Sequence, residues 1–362
     1  MSEAEARSPE SAKERLQERL SSRSEAEASN NEELAANEET LDPYGFVRGD
    51  RFDHAEYDTF NAAYTTVLVR RTRRWTSVNY NARHRRLKRY IRKGVPSSMR
   101  REVWLSVSGA SDLLAESPGL YDELKDISKL EEKHSRPIEL DIHRTLTDNV
   151  YFRLDGDKSK LKLDSLRNVL VAIAKHRPSI GYCQGLNFVT AYLLLIVENE
   201  EEVFWLMIAL LDSLPDYYGD KLRGMQMDCY VLQQLVKMKM PRLHDHFLRH
   251  SCSVDLFATK WFINLFLDCL PQETAFRVLD CLFYEGSKVL FRVALTILKH
   301  EEERLLSFSD IGDLLMFMKE ILTQNWMLHC HEFMESVFSV PQPLPGKMIR
   351  KLRIKAQTDK SL

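Results

Sequence analysis

Between roughly residue 85 and residue 340 the chain repeats one pattern: apolar side chains return every three or four positions, with polar residues between them. That is the period of an α-helix with one buried face. The spacing predicts a helix over residues 82–93, where Leu87, Tyr90 and Ile91 share one side, Lys and Arg fill the other, and Gly94, Val95 and Pro96 end the run. Asp164 or Ser165 is the expected cap of a later helix carrying Leu166, Val169, Leu170 and Ile173 on one face, with Pro178 as its stop. Residues 184–197 are apolar all round, the mark of a helix buried on every side. Residues 201–211 follow with carboxylates in the first turn, where the helix dipole favours them. The same period runs through 225–238, 256–267, 275–284, 289–304 and 311–322. Alternating strand-like runs are nearly absent, so the expected fold class is all-α, a single large helical domain over residues 85–340 without the fixed repeat of a solenoid.

The flanks break the pattern. Residues 1–42 hold 12 acidic and 5 basic residues, no aromatic and four Leu, too little apolar surface to offset the entropy of ordering, and are read as a disordered acidic tail. Residues 43–84 form a lead-in segment with aromatic residues, after which the charge reverses: residues 70–101 carry 13 Lys or Arg and no Asp or Glu. A solvated helix face explains such a run; a sharper reading is attraction to an acidic membrane surface or an acidic partner, with Arg83, Arg85, Arg86 and Arg89 as the contact face. Residues 341–362, Pro-rich and then basic, are read as a solvated tail.

Composition narrows the classes. A net charge of −2 over 362 residues argues against a nucleic-acid clamp, and 44% apolar residues exclude a wholly disordered chain. The most apolar stretch, residues 188–197, is too short to span a membrane and ends in the acidic run at 198–202. The start lacks the apolar core of a signal peptide, and six well-separated cysteines lie mostly in apolar segments. Both fit reduced thiols in the cytoplasm.

For chemistry, neither GxxxxGK[ST] nor GxGxxG is present, so no nucleotide or other cofactor of the chain's own is expected. His244, His246, His250 and Cys252 lie close in sequence, and His329, Cys330 and His331 are adjacent, but without HExxH or CxxC no metal site is expected. Three clusters stand out instead. PSSMRREVW sets Arg100 and Trp104 on one helix face; IELDIHRT sets Asp141 three before Arg144; GYCQGLN sets Gln184 between two glycines, with Tyr182 and Asn187 on either side. Taken singly, each has a plain reading: an Arg stem packed on Trp, an exposed ion pair worth less than about 1 kcal/mol, and a capping amide at a buried helix start.

In this order, RxxxW, IxxDxxR and YxQ closely resemble the three motifs of the TBC domain of GTPase-activating proteins for Rab-family small GTPases. Lys93-Gly94-Val95-Pro96, Asp148, Asn149 and Phe152, Trp261 and Phe262 through Pro271, and Arg277, Asp280, Glu285 and Gly286 extend the likeness. The short acidic lead is similar to that of growth hormone-regulated TBC proteins. The resemblance implies that Arg144 is an arginine finger and Gln184 a glutamine finger, both supplied in trans to a Rab partner that brings its own GTP and Mg2+. It gives Asp141 and Arg100 supporting roles, with Asp141 orienting a neighbouring arginine, either Arg100 or Arg144. Tyr182 and Trp104 then brace the loops from the core side, and Asn187 is either a contact to the partner or, as its surroundings favour, a buried amide satisfying backbone groups. His143 and Thr147 depart from the family pattern, standing where many members have proline. The competing readings are a non-catalytic Rab-binding scaffold and a helical adaptor; intact Arg and Gln at the motif positions favour the activator.

Overall fold

The computed structural model describes residues 41–48, 54–153, 157–219, 221–321, 324–340 and 342–358. The acidic tail therefore lies outside the described residues except for Leu41 and Asp42. Contacts divide the chain into two units, one made of Met1–Phe52 with Asp148–Val150, the other of Asp53–Thr147 with Tyr151–Leu362. In the small unit Asp42 Oδ1 accepts from the Tyr44 and Phe46 amides, closing a turn whose edges form isolated antiparallel bridges, Leu41 to Val47 and Phe46 to Asn149. Asn149 Nδ2 donates to the Tyr44 carbonyl at 2.9 Å.

The large unit is all-α among the described residues. Its helices are α1 His54–Trp75, α2 Arg85–Lys93, α3 Arg100–Ser108, α4 Ala110–Glu116, α5 Leu120–Leu124, α6 Glu132–Ile142, α7 Asp157–His176, α8 Leu186–Val197 and α9 Glu200–Ser213. There follow α10 Arg223–Lys239, α11 Pro241–Arg249, α12 Asp255–Ile263, α13 Gln272–Glu285, α14 Lys288–His300, α15 Glu302–Ser307, α16 Ile311–Glu320, α17 Cys330–Ser339 and α18 Gly346–Thr358. None of them is long and apolar enough to cross a membrane. As its composition requires, α8 is buried on nearly every side, and α13 and α14 are buried almost throughout.

Several boundaries differ from the periodicity, each for a local reason. The helix expected from Gln184 begins at Leu186, because Gly185 sits at φ +104° and breaks the helical path. The helix expected to be capped at Asp164 or Ser165 starts a full two turns earlier, at Asp157. The apolar period over 289–304 spans two helices, which meet at Glu301, where backbone φ −94° and ψ 8° end α14.

Two flanks read as peripheral are structural. In the lead-in segment α1 puts Tyr57, Phe60, Tyr64, Arg71 and Trp75 along one stripe, with Trp75 fully buried and its indole N–H donating to the Gly94 carbonyl at 3.0 Å. The basic tail is not a solvated terminus. Leu344, Ile349 and Ala356 are buried, and Arg353 grips the buried Asp228 of α10 through two 2.7 Å bonds.

Candidate functional site

Helix α6 ends at Ile142, and Arg144 follows in the turn where the unsatisfied carbonyls of the helix C-terminus favour a cation. The Arg144 and Thr145 amides bond back to the carbonyls of Asp141 and Ile142, and Leu146 takes a left-handed φ of +50°, which turns the chain away sharply. This loop places Arg144 with 58% of its side chain exposed and Asp141 with 5%. The buried carboxylate holds one edge of the guanidinium, Oδ1 to Nη2 at 2.5 Å, and leaves the rest of its planar donor fork to solvent.

The second Asp141 oxygen accepts from the Tyr182 hydroxyl at 2.6 Å. Burial, and then this bond to a carboxylate, push the Tyr182 phenol up, so it stays a neutral donor. The Tyr182 amide in turn donates to His134 Nδ1 of α6 at 3.2 Å. Two residues on, Gln184 lies exposed on the turn before α8, so it is not an amide at a buried helix start. Gly185 makes that turn: its φ of +104° suits glycine alone, and a Cβ there would lie 2.9 Å from Ile263 Cγ1.

Asn187 ties the two loops together. It is fully buried; its Oδ1 accepts from the Gly185 amide at 3.0 Å, and its Nδ2 donates to Thr145 Oγ1 at 2.8 Å. Thr145 Oγ1 itself donates to the Asp141 carbonyl at 2.6 Å. The turn bearing Arg144 and the turn bearing Gln184 are thus cross-braced twice, once through Asp141 and Tyr182 and once through Thr145 and Asn187. Both candidate fingers project from a frame whose bracing members are mostly buried.

Arg100 stands apart from this frame. It is fully buried, pairs with both oxygens of Glu273 at 2.8 and 3.0 Å, and reaches Asp280 Oδ1 at 3.3 Å. Trp104 Nε1 donates to the same Asp280 oxygen at 2.8 Å, and the Val95 amide to its other oxygen at 3.2 Å. The open choice for Asp141 is therefore resolved toward Arg144, and Arg100 with Trp104 fastens α3 to α13 inside the core. His143 and Thr147, the two departures from the family pattern, are both exposed.

Three contributors escaped the sequence reading: Thr145, His134 and Asn264. Asn264 Oδ1 is buried without a hydrogen-bond partner and lies 3.2 Å from where a Gly185 Cβ would stand. Thr145 stands inside the IELDIHRT cluster, which was its signal; His134 and Asn264 carry none, because only the fold brings them to these turns. Among the described residues no three His, Cys, Asp or Glu side chains converge as a metal site requires. The His246 and His250 rings pack tilted with centroids 4.5 Å apart, while His244 meets Asp245, His329 meets Glu56 and His331 meets Arg71.

Residues 97–306 match the Rab-GTPase-TBC domain. The human growth hormone-regulated TBC protein 1 is 41% identical over 317 residues, 86% of this chain and 94% of that protein. Its zebrafish (Danio rerio) counterpart, growth hormone-regulated TBC protein 1-A, is 40% identical over 319 residues, 87% of this chain and 89% of that one. Among solved structures, the Chlamydomonas flagellar RabGAP TBC domain is 31% identical, superposes with a TM-score of 0.69, and covers 83% of this chain and 99% of its own. The Ypt/Rab-GAP domain of Gyp1p, 19% identical with a TM-score of 0.64 over 76% of this chain and 98% of its own, shares the fold. From the domain match and the identity to these relatives along most of its length, the chain belongs to the Rab-GTPase-TBC domain family.

Proposed function

We propose that this chain accelerates GTP hydrolysis by a Rab-family GTPase, with Arg144 as an arginine finger and Gln184 as a glutamine finger donated across the protein boundary. The observation that carries the reading is the pairing of two exposed polar side chains with a buried, doubly braced support. An exposed arginine held only for stability gains little, since a half-exposed pair contributes about 1 kcal/mol or less. A guanidinium held along one edge with its remaining donors outward suits charge that develops on γ-phosphoryl oxygens of a partner's GTP.

The partner brings nucleotide and Mg2+; the residues of this chain orient and stabilise. Arg144 meets the transferring phosphoryl group with a permanent charge, an effect worth about 10³ to 10⁵ in rate, or roughly 4 to 7 kcal/mol of barrier. Gln184, with both an acceptor and donors on one amide, orients the attacking water. Asp141, Tyr182, Thr145 and Asn187 position the fingers, and the rigidity they provide matters because a displacement of about 1 Å can cost two orders of magnitude. We further assign this activity to the cytoplasm, on membranes reached through the lipid-anchored partner and through the cationic face of residues 70–101. Arg83 is not part of that face: it donates to the carbonyls of Tyr284 at 2.8 Å and Val107 at 3.1 Å.

The test is a multiple-turnover GTPase screen of the purified chain against a panel of Rab proteins. At least one Rab is expected to respond, and Arg144→Ala and Gln184→Ala to lose most of the stimulation while retaining helical content. Binding of a GTP-loaded Rab with no stimulation by the wild type would favour the scaffold instead.

A further inference from the structure

Helices α1 and α2, joined by the Trp75 to Gly94 bond and by edge-to-face packing of Trp75 on Tyr90, enclose an open cavity of about 780 Å³. Arg70, Arg71 and Arg74 line it from one side and Arg85, Arg86, Arg89 and Lys93 from the other, and no carboxylate lines it. The cations of α2 sort by direction. Lys88 and Arg92 share Glu285 at 3.0 and 2.5 Å, whereas among the described residues those facing the cavity form no salt bridge. Like charges kept this close repel one another, and a fold that neutralises one side of a helix while leaving the other bare leaves room for an external anion.

Arg71 strengthens the case. It is buried, with 8% exposure, yet its guanidinium meets only neutral groups, the Tyr64 hydroxyl at 3.4 Å and the His331 ring at 2.8 Å. A buried charge without a counter-ion is costly unless something supplies one. Burial, followed by the nearby charges of Arg71, Arg277 and Lys93, pushes the His331 imidazole down to about 4, which records the positive field at the cavity floor.

The shape selects the class of anion. Trp75 is 1% exposed, and the Tyr90 ring already packs edge-to-face with Trp75 and lies 5.5 Å under Arg86, so the lining offers cations and not a pair of open aromatic faces between which a nucleobase would stack. Seven cations around one bowl exceed what a single phosphate can engage. We propose that the cavity between α1 and α2 binds a polyol carrying clustered phosphates, either the head group of a phosphoinositide lipid or a soluble inositol polyphosphate. The site rests on this cavity and not on the fingers, so Arg144→Lys should bind the anion as the wild type does whatever becomes of its GTPase stimulation.

The experiment titrates the full chain with inositol hexakisphosphate by calorimetry. In parallel, it measures sedimentation with phosphatidylcholine vesicles bearing phosphatidylinositol 4,5-bisphosphate, against phosphatidylserine vesicles of matched surface charge. The triple variant R85Q/R86Q/R89Q is compared with K347Q/R350Q/K351Q, which removes equal charge from exposed positions of α18. Wild type and the α18 variant are expected to bind hexakisphosphate alike, and the cavity variant at least tenfold more weakly. A preference for the phosphoinositide over phosphatidylserine then identifies the lipid as the source of the phosphates, and equal vesicle binding identifies the soluble polyol. Equal hexakisphosphate affinity in wild type and cavity variant, equal losses in both variants, or no binding to either probe overturns the proposal. So does a cavity variant whose only defect is slower stimulation of a Rab in solution, which would make this face a protein contact.

Discussion

Asp141 shows how a residue gains meaning from its surroundings. As sequence it is one carboxylate three before an arginine; as structure it is a buried anion with one oxygen on Arg144 and the other on Tyr182. The motif spacing revealed the first contact, because positions three apart on a helix are neighbours. The second joins residues 41 apart in sequence and needed the fold. Arg100 illustrates the opposite limit: its spacing to Trp104 was legible, but its carboxylate partners lie on α13, far along the chain. Gly185 gives a prediction at this scale. Gly185→Ala must place a side chain at φ +104° against Ile263, so unfolding free energy should drop by about 1 to 3 kcal/mol in a urea titration. GTPase stimulation should fall further than stability does, since the turn carries Gln184. His331 gives another. Its folded-state pKa lies below the unfolded value of 6.5, so the unfolded chain takes up the proton first and stability is lost as pH falls from about 6.5 toward 4. Urea midpoints at pH 7 and pH 5 should differ less in His331→Gln than in wild type, and equal differences would count against this role.

Among the helices, those in which apolar residues outnumber the charges along the buried stripe were legible even where the stripe holds a charge, as α10 does at Asp228 and α13 at Arg277 and Asp280; α1 and α18, rich in basic residues, were not. Helix α1 was missed because Arg71 occupies a core-facing position between Tyr64 and Trp75, which reads as an interruption. Helix α18 was taken for a tail because Lys and Arg dominate it, although one of those arginines is its anchor. Asp228 is buried, holding Arg353 with both oxygens and also accepting from the Tyr217 hydroxyl at 2.6 Å. Arg353→Met would leave that carboxylate without its counter-charge, and the expected loss is about 3 kcal/mol of stability by chemical denaturation. A variant as stable as wild type would mean that α18 docks through Ile349 and Ala356 alone.

At the scale of the molecule, a helical frame holds two short turns against each other, and the chemistry attributed to the chain lives on those turns. The all-α class follows from local periodicity, a one-dimensional property, and was therefore readable; the bracing of Arg144 and Gln184 depends on contacts between α6 and the turn before α8, which periodicity does not encode. The most direct test is single-turnover hydrolysis by a responsive Rab across increasing concentrations of the wild-type chain and of Arg144→Lys. Because lysine keeps the charge but loses the planar fork, the plateau rate should fall at least a hundredfold while the half-saturating concentration stays near that of wild type. Equal plateau rates, or a loss seen only in half-saturation, would contradict an arginine that acts on the transferring phosphoryl group.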